Sequence, residues 1–216
     1  MGQKVHPTAF RTGIIFDWSS RWFNRKKFKQ YLAEDALIRD FIFSKLTKSG
    51  LGKVEIERTA NALRVIIHTS RPGLIIGRGG AGIEQLKAQL QKTIAKQRVD
   101  EKIELRLEVE EVKQPESHAS IIAQTIAEQL EKRMPYRRII KQTLERVMQN
   151  KSVRGAKIMI KGRLDGSEIA RKEWLAKGQI PLQTLRANID FSIATAYTTF
   201  GTVGIKVWIY KGEVFE

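Results

Sequence analysis

Gly77-Arg78-Gly79-Gly80, with Leu74-Ile75-Ile76 before it and Ala81-Gly82-Ile83 after it, has residue types and spacing suited to holding a phosphate. Glycines permit backbone conformations and close approaches that a β-carbon obstructs. Successive amides at a helix N-terminus offer donors and a partial positive charge to an anion, and Arg78 adds a full charge. Read as G-x-G-x-x-G, Gly77, Gly79 and Gly82 fit a dinucleotide fingerprint, with Glu110 or Glu111 as the ribose ligand. Read as I-I-G-x-x-G-x-x-I, Ile75 to Ile83 fit a loop that clamps the backbone of a short single strand of nucleic acid. A glycine turn that merely joins two helices is the third reading.

The flanking elements separate these readings. Leu63, Val65 and Ile67 alternate with Arg64, Ile66 and His68, the period of a strand. Arg71-Pro72-Gly73 then interrupts the chain, leaving Leu74 to Ile76 as a short helical turn before the glycines. Ile83, Leu86, Leu90 and Ile94 recur at helical spacing. A second strand runs from Ile103 to Glu110, with Glu104, Arg106, Glu108 and Glu110 alternating against apolar residues. A dinucleotide fold buries its parallel sheet on both faces and needs nearly all-apolar strands. One charged face and a punctuated strand–loop junction favour a KH-type loop.

Between Lys132 and Arg146 there are six basic residues and one acidic residue. Arg138 and Lys141, with Arg137 at their flank, project from the polar side of a helix predicted over Tyr136 to Asn150. Solvated helix faces are generally mixed in sign, so one-sided charge favours a phosphate-binding surface. The net charge of +16 over 216 residues points the same way, to a polyanionic partner. No run approaches a membrane span, and Met1 to Pro7 has no apolar leader region. The absence of cysteine excludes disulfides and thiolate chemistry and fits a reducing, cytoplasmic setting. His6, His68 and His118 fall in different elements without metal-ligand spacing. Asp165 and Glu168 are more readily paired with Arg163 and Arg171 than used as a catalytic dyad. No Walker loop or nucleophile elbow is present. The residues argue for no enzyme activity, no cofactor and no metal.

The remaining elements place these features in two α+β domains. Residues 1–24 carry Phe10, Phe16, Trp18 and Trp22 among basic residues, and read either as a basic arm that orders on a partner or as a segment packed on its own domain. A helix is predicted from Arg25 to Lys48, with Phe28, Tyr31, Leu32, Leu37, Ile38, Phe41, Ile42 and Leu46 as its core face. A short strand at Val54 and Ile56 and a turn at Ala60-Asn61 lead to the strand at Leu63. After a linker at Lys113-Gln114-Pro115 comes a helix capped by Ser117, with Ala119, Ile122, Ala123, Ile126, Ala127 and Leu130 facing inward. Pro135 opens the basic helix. Strands are predicted at Ile158 to Ile160, Leu182 to Ile193 and Val203 to Tyr210, with Gly162 to Arg171 as a crossing segment.

Several stretches together resemble the bacterial family of small-subunit ribosomal protein three, over essentially the whole chain. They are Met1-Gly2-Gln3-Lys4-Val5-His6-Pro7, Ile75 to Gly80, Gln129-Leu130-Glu131-Lys132-Arg133, Gly162-Arg163-Leu164, Glu168-Ile169-Ala170-Arg171, Pro181 to Ala187, and Gly204 to Ile209. The resemblance implies a type II KH domain over 25–112 and a family-specific α+β domain over 113–216. It implies small-subunit rRNA as partner, with ribosomal proteins ten and fourteen as neighbours and two nearby, and no homo-oligomer. It also implies a place at the mRNA entrance of the ribosome, where Arg137, Arg138 and Lys141 help unwind structured message. Gly77, Arg78, Gly79 and Gly80 form the expected RNA-binding loop. Lys4, Arg11, Lys132, Arg133, Arg163, Arg171 and Arg186 are further candidates for rRNA contact. The chain departs from many members in ending at Glu216 without a basic tail and in having Gly82 where an acidic residue is common. The bottom-up alternative is a free-standing KH-type RNA regulator or chaperone.

Overall fold

In the computed structural model, residues 4–47, 49–59, 62–95 and 104–215 are described. The predicted helix stop at Lys48, the turn at Ala60-Asn61, the first strand residue Ile103 and the opening Met1-Gly2-Gln3 lie outside them. In chain order the elements are α1 (Pro7–Phe10), β1 (Ser20–Arg21), α2 (Phe28–Lys45), β2 (Leu51–Arg58), β3 (Ala62–Thr69), α3 (Pro72–Ile76), α4 (Ala81–Ala95), β4 (Glu104–Glu111), α5 (Ala119–Glu131), α6 (Tyr136–Gln149), β5 (Gly155–Gly162), β6 (Arg171–Gly178), β7 (Ala187–Thr198) and β8 (Gly201–Glu213). They form two compact units. Trp18 to Lys113 make one, while the residues through Asp17 belong with those from Gln114 onward. The N-terminal stretch is therefore not a separate arm of 24 residues. Its first part packs in one unit and its second part in the other.

After the short strand β1, the unit from Trp18 to Lys113 has the order α-β-β-α-α-β of a type II KH domain, with strand order β1-β2-β3-β4. β2 and β3 are antiparallel, and β3 and β4 are parallel, joined through α3 and α4. Leu63, Val65, Ile67 and Leu105 turn inward with Ile38, Ile42, Leu86 and Leu90 from the helices. The opposite face is charged, as the alternation in β4 predicts. Arg64 forks onto Glu108 at 2.8 and 2.5 Å and reaches Glu57 at 3.2 Å. A sheet with a face of exposed ion pairs cannot be the doubly covered sheet of a dinucleotide fold.

α2 departs from its apolar pattern. Phe28 and Leu32 are exposed, while Glu34 and Asp35 are buried. The cause is Arg58, which donates to Glu34 at 2.7 Å and through Nε to Asp35 at 3.0 Å. Ser20 and the Trp22 indole each donate to the other Asp35 oxygen at 2.7 Å. A buried carboxylate satisfied by three donors holds the segment around β1 against the helix.

In the other unit, β6-β5-β8-β7 form an antiparallel sheet. α5 and α6 cover one face, packing Ile122, Ile126, Ile140 and Leu144 against Ile158, Ile160, Ile205 and Val207. Ser117 is not the cap of α5; its hydroxyl donates to the Gln114 carbonyl, and Asp190 of β7 accepts from the Ala119 N–H at 2.9 Å. Two strand readings also need correction. Arg171 to Gly178 is an edge strand, where a crossing was expected to end. β7 starts only at Ala187, because Leu182 and Thr184 give their carbonyls to Arg11, at 2.9 and 2.8 Å.

Candidate nucleic-acid interface

The loop is built from backbone constraints. α3 ends on Gly77, whose φ of 69° and N–H bond to the Gly73 carbonyl (3.0 Å) turn the chain sharply. Arg78–Gly80 make one 3-10 turn, with Gly79 at φ 60° and Gly80 at φ 83°. Left-handed conformations in such close succession require glycine or something near it. α4 then starts at Ala81. Gly82 has an ordinary helical backbone, but a β-carbon on it would stand 2.6 Å from the Ile75 carbonyl oxygen. Gly82 is thus the point where the backbones of α3 and α4 touch. Arg78 is exposed, as are Leu74 and Ile76 beside it, and among the described residues Arg78 makes no ion pair. The loop offers a helix start, a cation and an apolar flank, which suits a sugar–phosphate backbone with its bases turned aside.

The second cluster lies on α6. Tyr136, Ile139, Ile140, Thr143, Leu144 and Val147 are buried, leaving Arg137, Arg138 and Lys141 exposed. Arg137 donates through Nε to the Tyr136 hydroxyl at 3.1 Å. That bond, with the charge of Glu173 behind it, holds its pKa above the usual value. Among the described residues neither Arg138 nor Lys141 has a carboxylate partner, whereas Arg146 faces Glu116 at 3.9 Å. The first turn of α6 has no acidic residue. Cations in the first turn of a helix oppose its macrodipole. Packing does not call for that arrangement, but a polyanion would.

The remaining predicted contacts divide. Lys132 and Arg133 are exposed where α5 ends, with Arg133 at φ 59°, and Arg171 is exposed at the start of β6. Arg163 donates to the carbonyls of Ser167 (2.9 Å) and Phe200 (3.3 Å), and Arg186 pairs with Glu213 at 2.8 Å. Lys4 is exposed near Lys157. Arg11 does not belong with them. It is fully buried and donates to the carbonyls of Pro7, Leu182 and Thr184, so its fork of donors serves the main chain. The ion pairs expected of Asp165 and Glu168 with Arg163 and Arg171 do not form among the described residues; Asp165 instead accepts from the Tyr136 N–H at 3.5 Å. No cluster of three metal-ligating side chains occurs among those residues. Sequence reading passed over Lys157, Lys172, Trp174, Lys206 and Trp208, whose signal is the alternation Lys206-Val207-Trp208.

An exposed glycine turn between two short-linked helices, set on a sheet with one wet face, defines a KH-type RNA-binding protein carrying a second α+β domain. Family profiles agree: residues 37–117 match the KH domain, and residues 126–209 match the ribosomal protein S3 C-terminal domain. The chain is 49% identical over 215 residues to the small ribosomal subunit protein uS3 of Caldicellulosiruptor saccharolyticus, covering 99% of this chain and 94% of that one. It is 49% identical over 214 residues to the same protein of Syntrophomonas wolfei, covering 99% and 91%. With that of Microcystis aeruginosa the identity is 46% over 215 residues, covering 99% and 86%. The chain belongs to the uS3 family of small ribosomal subunit proteins, whose role is structural and not enzymatic.

Proposed function

We propose that the chain grips small-subunit rRNA through Gly77, Arg78, Gly79 and Gly80, and that Arg137, Arg138 and Lys141 line the mRNA entrance and oppose re-pairing of message. Lys132, Arg133 and Arg171 add rRNA contacts, while Lys4, Arg163 and Arg186 contribute according to how far their present partners release them. Ribosomal proteins ten and fourteen are the expected neighbours, with two nearby and no second copy of the chain. The uS3 relatives, which share nearly the whole length, support the place in the small subunit. One observation carries the unwinding role: among the described residues Arg138 and Lys141 stand exposed and without carboxylate partners on a helix whose other face is packed. Such groups hold phosphates without reading bases, which suits a strand that must slide.

Replacing Arg137, Arg138 and Lys141 by alanine leaves the packed face of α6 untouched and favours the helix. Subunits carrying the triple variant should assemble normally and translate unstructured messages at near-normal rates, yet stall when a stable hairpin arrives. Equal slowing on both kinds of message would refute the unwinding role. Failed assembly would instead put these side chains against rRNA.

A further inference from the structure

In the second unit α5 and α6 cover one face of the sheet, and on the other only the short α1 comes close among the described residues. That other face carries two rows of side chains in register. Lys157 of β5 stands opposite Trp208 of β8, which stands opposite Phe191 of β7. In the next row Trp174 of β6 faces Met159, followed by Lys206. Together with the segment from Lys4 to Phe10 these residues enclose an open groove of about 670 Å³. The Lys157 ammonium is 4.6 Å from the Trp174 ring centroid and 5.6 Å from that of Trp208. Phe191 lies 5.2 Å from Trp208, and His6 meets Phe191 edge-on at 4.7 Å.

The charge of this groove is one-sided. Lys4, Lys157, Lys172 and Lys206 line it, and among the described residues no carboxylate does. Burial first, then repulsion from Lys4 and Lys172, lowers the pKa of Lys157. Burial and the charge of Lys206 lower that of His6. An anion placed here would relieve repulsion that the protein leaves uncompensated. The aromatic rings narrow the choice of anion. Trp174 is 56% exposed on an edge strand, so a flat ring can lie against it. In a duplex the bases are already stacked and their faces hidden, whereas a single strand can splay them onto aromatic side chains.

We propose that this outer sheet face is a single-strand RNA platform, in which Lys157, Lys172 and Lys206 hold phosphates and Trp174 and Trp208 stack bases. It uses none of the residues of the glycine loop or of α6, so it can fail while those sites stand, and they can fail while it stands.

The test uses the full chain carrying Arg78→Asp and Gly79→Asp, which silences the loop, and a fluorescent oligouridine read by anisotropy. Adding Trp174→Ala should weaken the residual binding by roughly 5- to 150-fold, the range for loss of one stacked base. Adding Lys157→Gln should weaken binding and reduce the log–log salt slope by about 0.7, one phosphate's share on a single strand. The second variant keeps both indoles and carries the test should the first fail to fold. In the chain without these substitutions, ultraviolet cross-linking should attach the oligouridine to the peptide containing Trp174. Residual affinity unchanged by Lys157→Gln, or no cross-link at that peptide, would overturn the proposal. So would displacement of the RNA by an oligoglutamate of equal charge at equal concentration, which would assign the groove to an acidic protein segment.

Discussion

Gly82→Ala sets two effects of opposite sign against each other. Helix propensity alone favours alanine in α4 by about 0.8–1.0 kcal/mol. The new β-carbon, however, would stand 2.6 Å from the Ile75 oxygen and 3.0 Å from the Ile76 oxygen. Both obstacles are main-chain atoms, so no side-chain rotation relieves them, and α3 must shift away from α4. Overpacking of this kind costs about 1–3 kcal/mol, and a backbone obstacle puts it at the upper end. The net expectation is a loss of roughly 1–2 kcal/mol after the propensity gain. For a domain of this size that lowers the Tm by about 5–15 °C. In a Trp174→Phe, Trp208→Phe background, Trp18 and Trp22 report on the KH unit, and their emission during thermal and urea unfolding measures the shift. Gly79→Asn is the matched control: its φ of 60° suits asparagine and nothing lies within 4 Å of the new β-carbon. A midpoint for Gly82→Ala equal to or above that of the starting chain would refute the close-contact reasoning and leave propensity in charge.

Asp35→Ala removes the acceptor of Arg58, Ser20 and Trp22. It should destabilise the KH unit by about 3–5 kcal/mol, as for a broken buried pair, with a shift in Trp22 emission. Arg11→Ala should destabilise the other unit by about 2–4 kcal/mol through its lost charged hydrogen bonds, with no change in the salt slope of RNA binding measured under conditions where the variant is folded. Hydrogen bonds from Arg64 and Arg106 hold the carboxyls of Glu108 and Glu104 below the ordinary value near 4.5. Depressed folded values mean stabilisation that is present above that pH and lost below it, so the KH unit's Tm should fall on acidification, less steeply in Glu108→Gln.

The KH unit was legible in the sequence because its signals are local. The alternation in β4 comes from one wet face, and the glycines and the spacing of Leu86 and Leu90 mark loop and helix without reference to anything distant. β6 escaped for the opposite reason. Along Arg171 to Gly178 nearly every residue is exposed, so an edge strand lying over solvent shows no period of two. The cap of α5 and the carbonyls held by Arg11 depend on residues 71 and more than 170 positions away; no window of sequence contains both partners. Arg11 also shows why charge alone misleads: as a letter it is the same as Arg138, and only the carbonyls around it distinguish a buried main-chain clamp from a free cation. The burial of Glu34 and Asp35 is a third case, since Arg58 reverses what the apolar pattern of α2 calls for.

The clamp from Arg11 to Thr184 also has a consequence for the order of events during synthesis. The two residues are 173 positions apart. At about 5–20 residues per second, a translating ribosome makes them some ten to thirty seconds apart. Until the end of that interval Arg11 lacks the Thr184 carbonyl that completes the clamp, whereas Trp18 to Lys113 acquires every strand and helix of its own unit. The KH unit is therefore placed to fold first, while its nascent neighbour waits. Once compact, it replaces a long flexible loop between the two parts of the other unit, and closing a loop costs more as its free length grows. A substitution that delays the middle of the chain should then delay completion of the other unit, with no native contact of that unit altered.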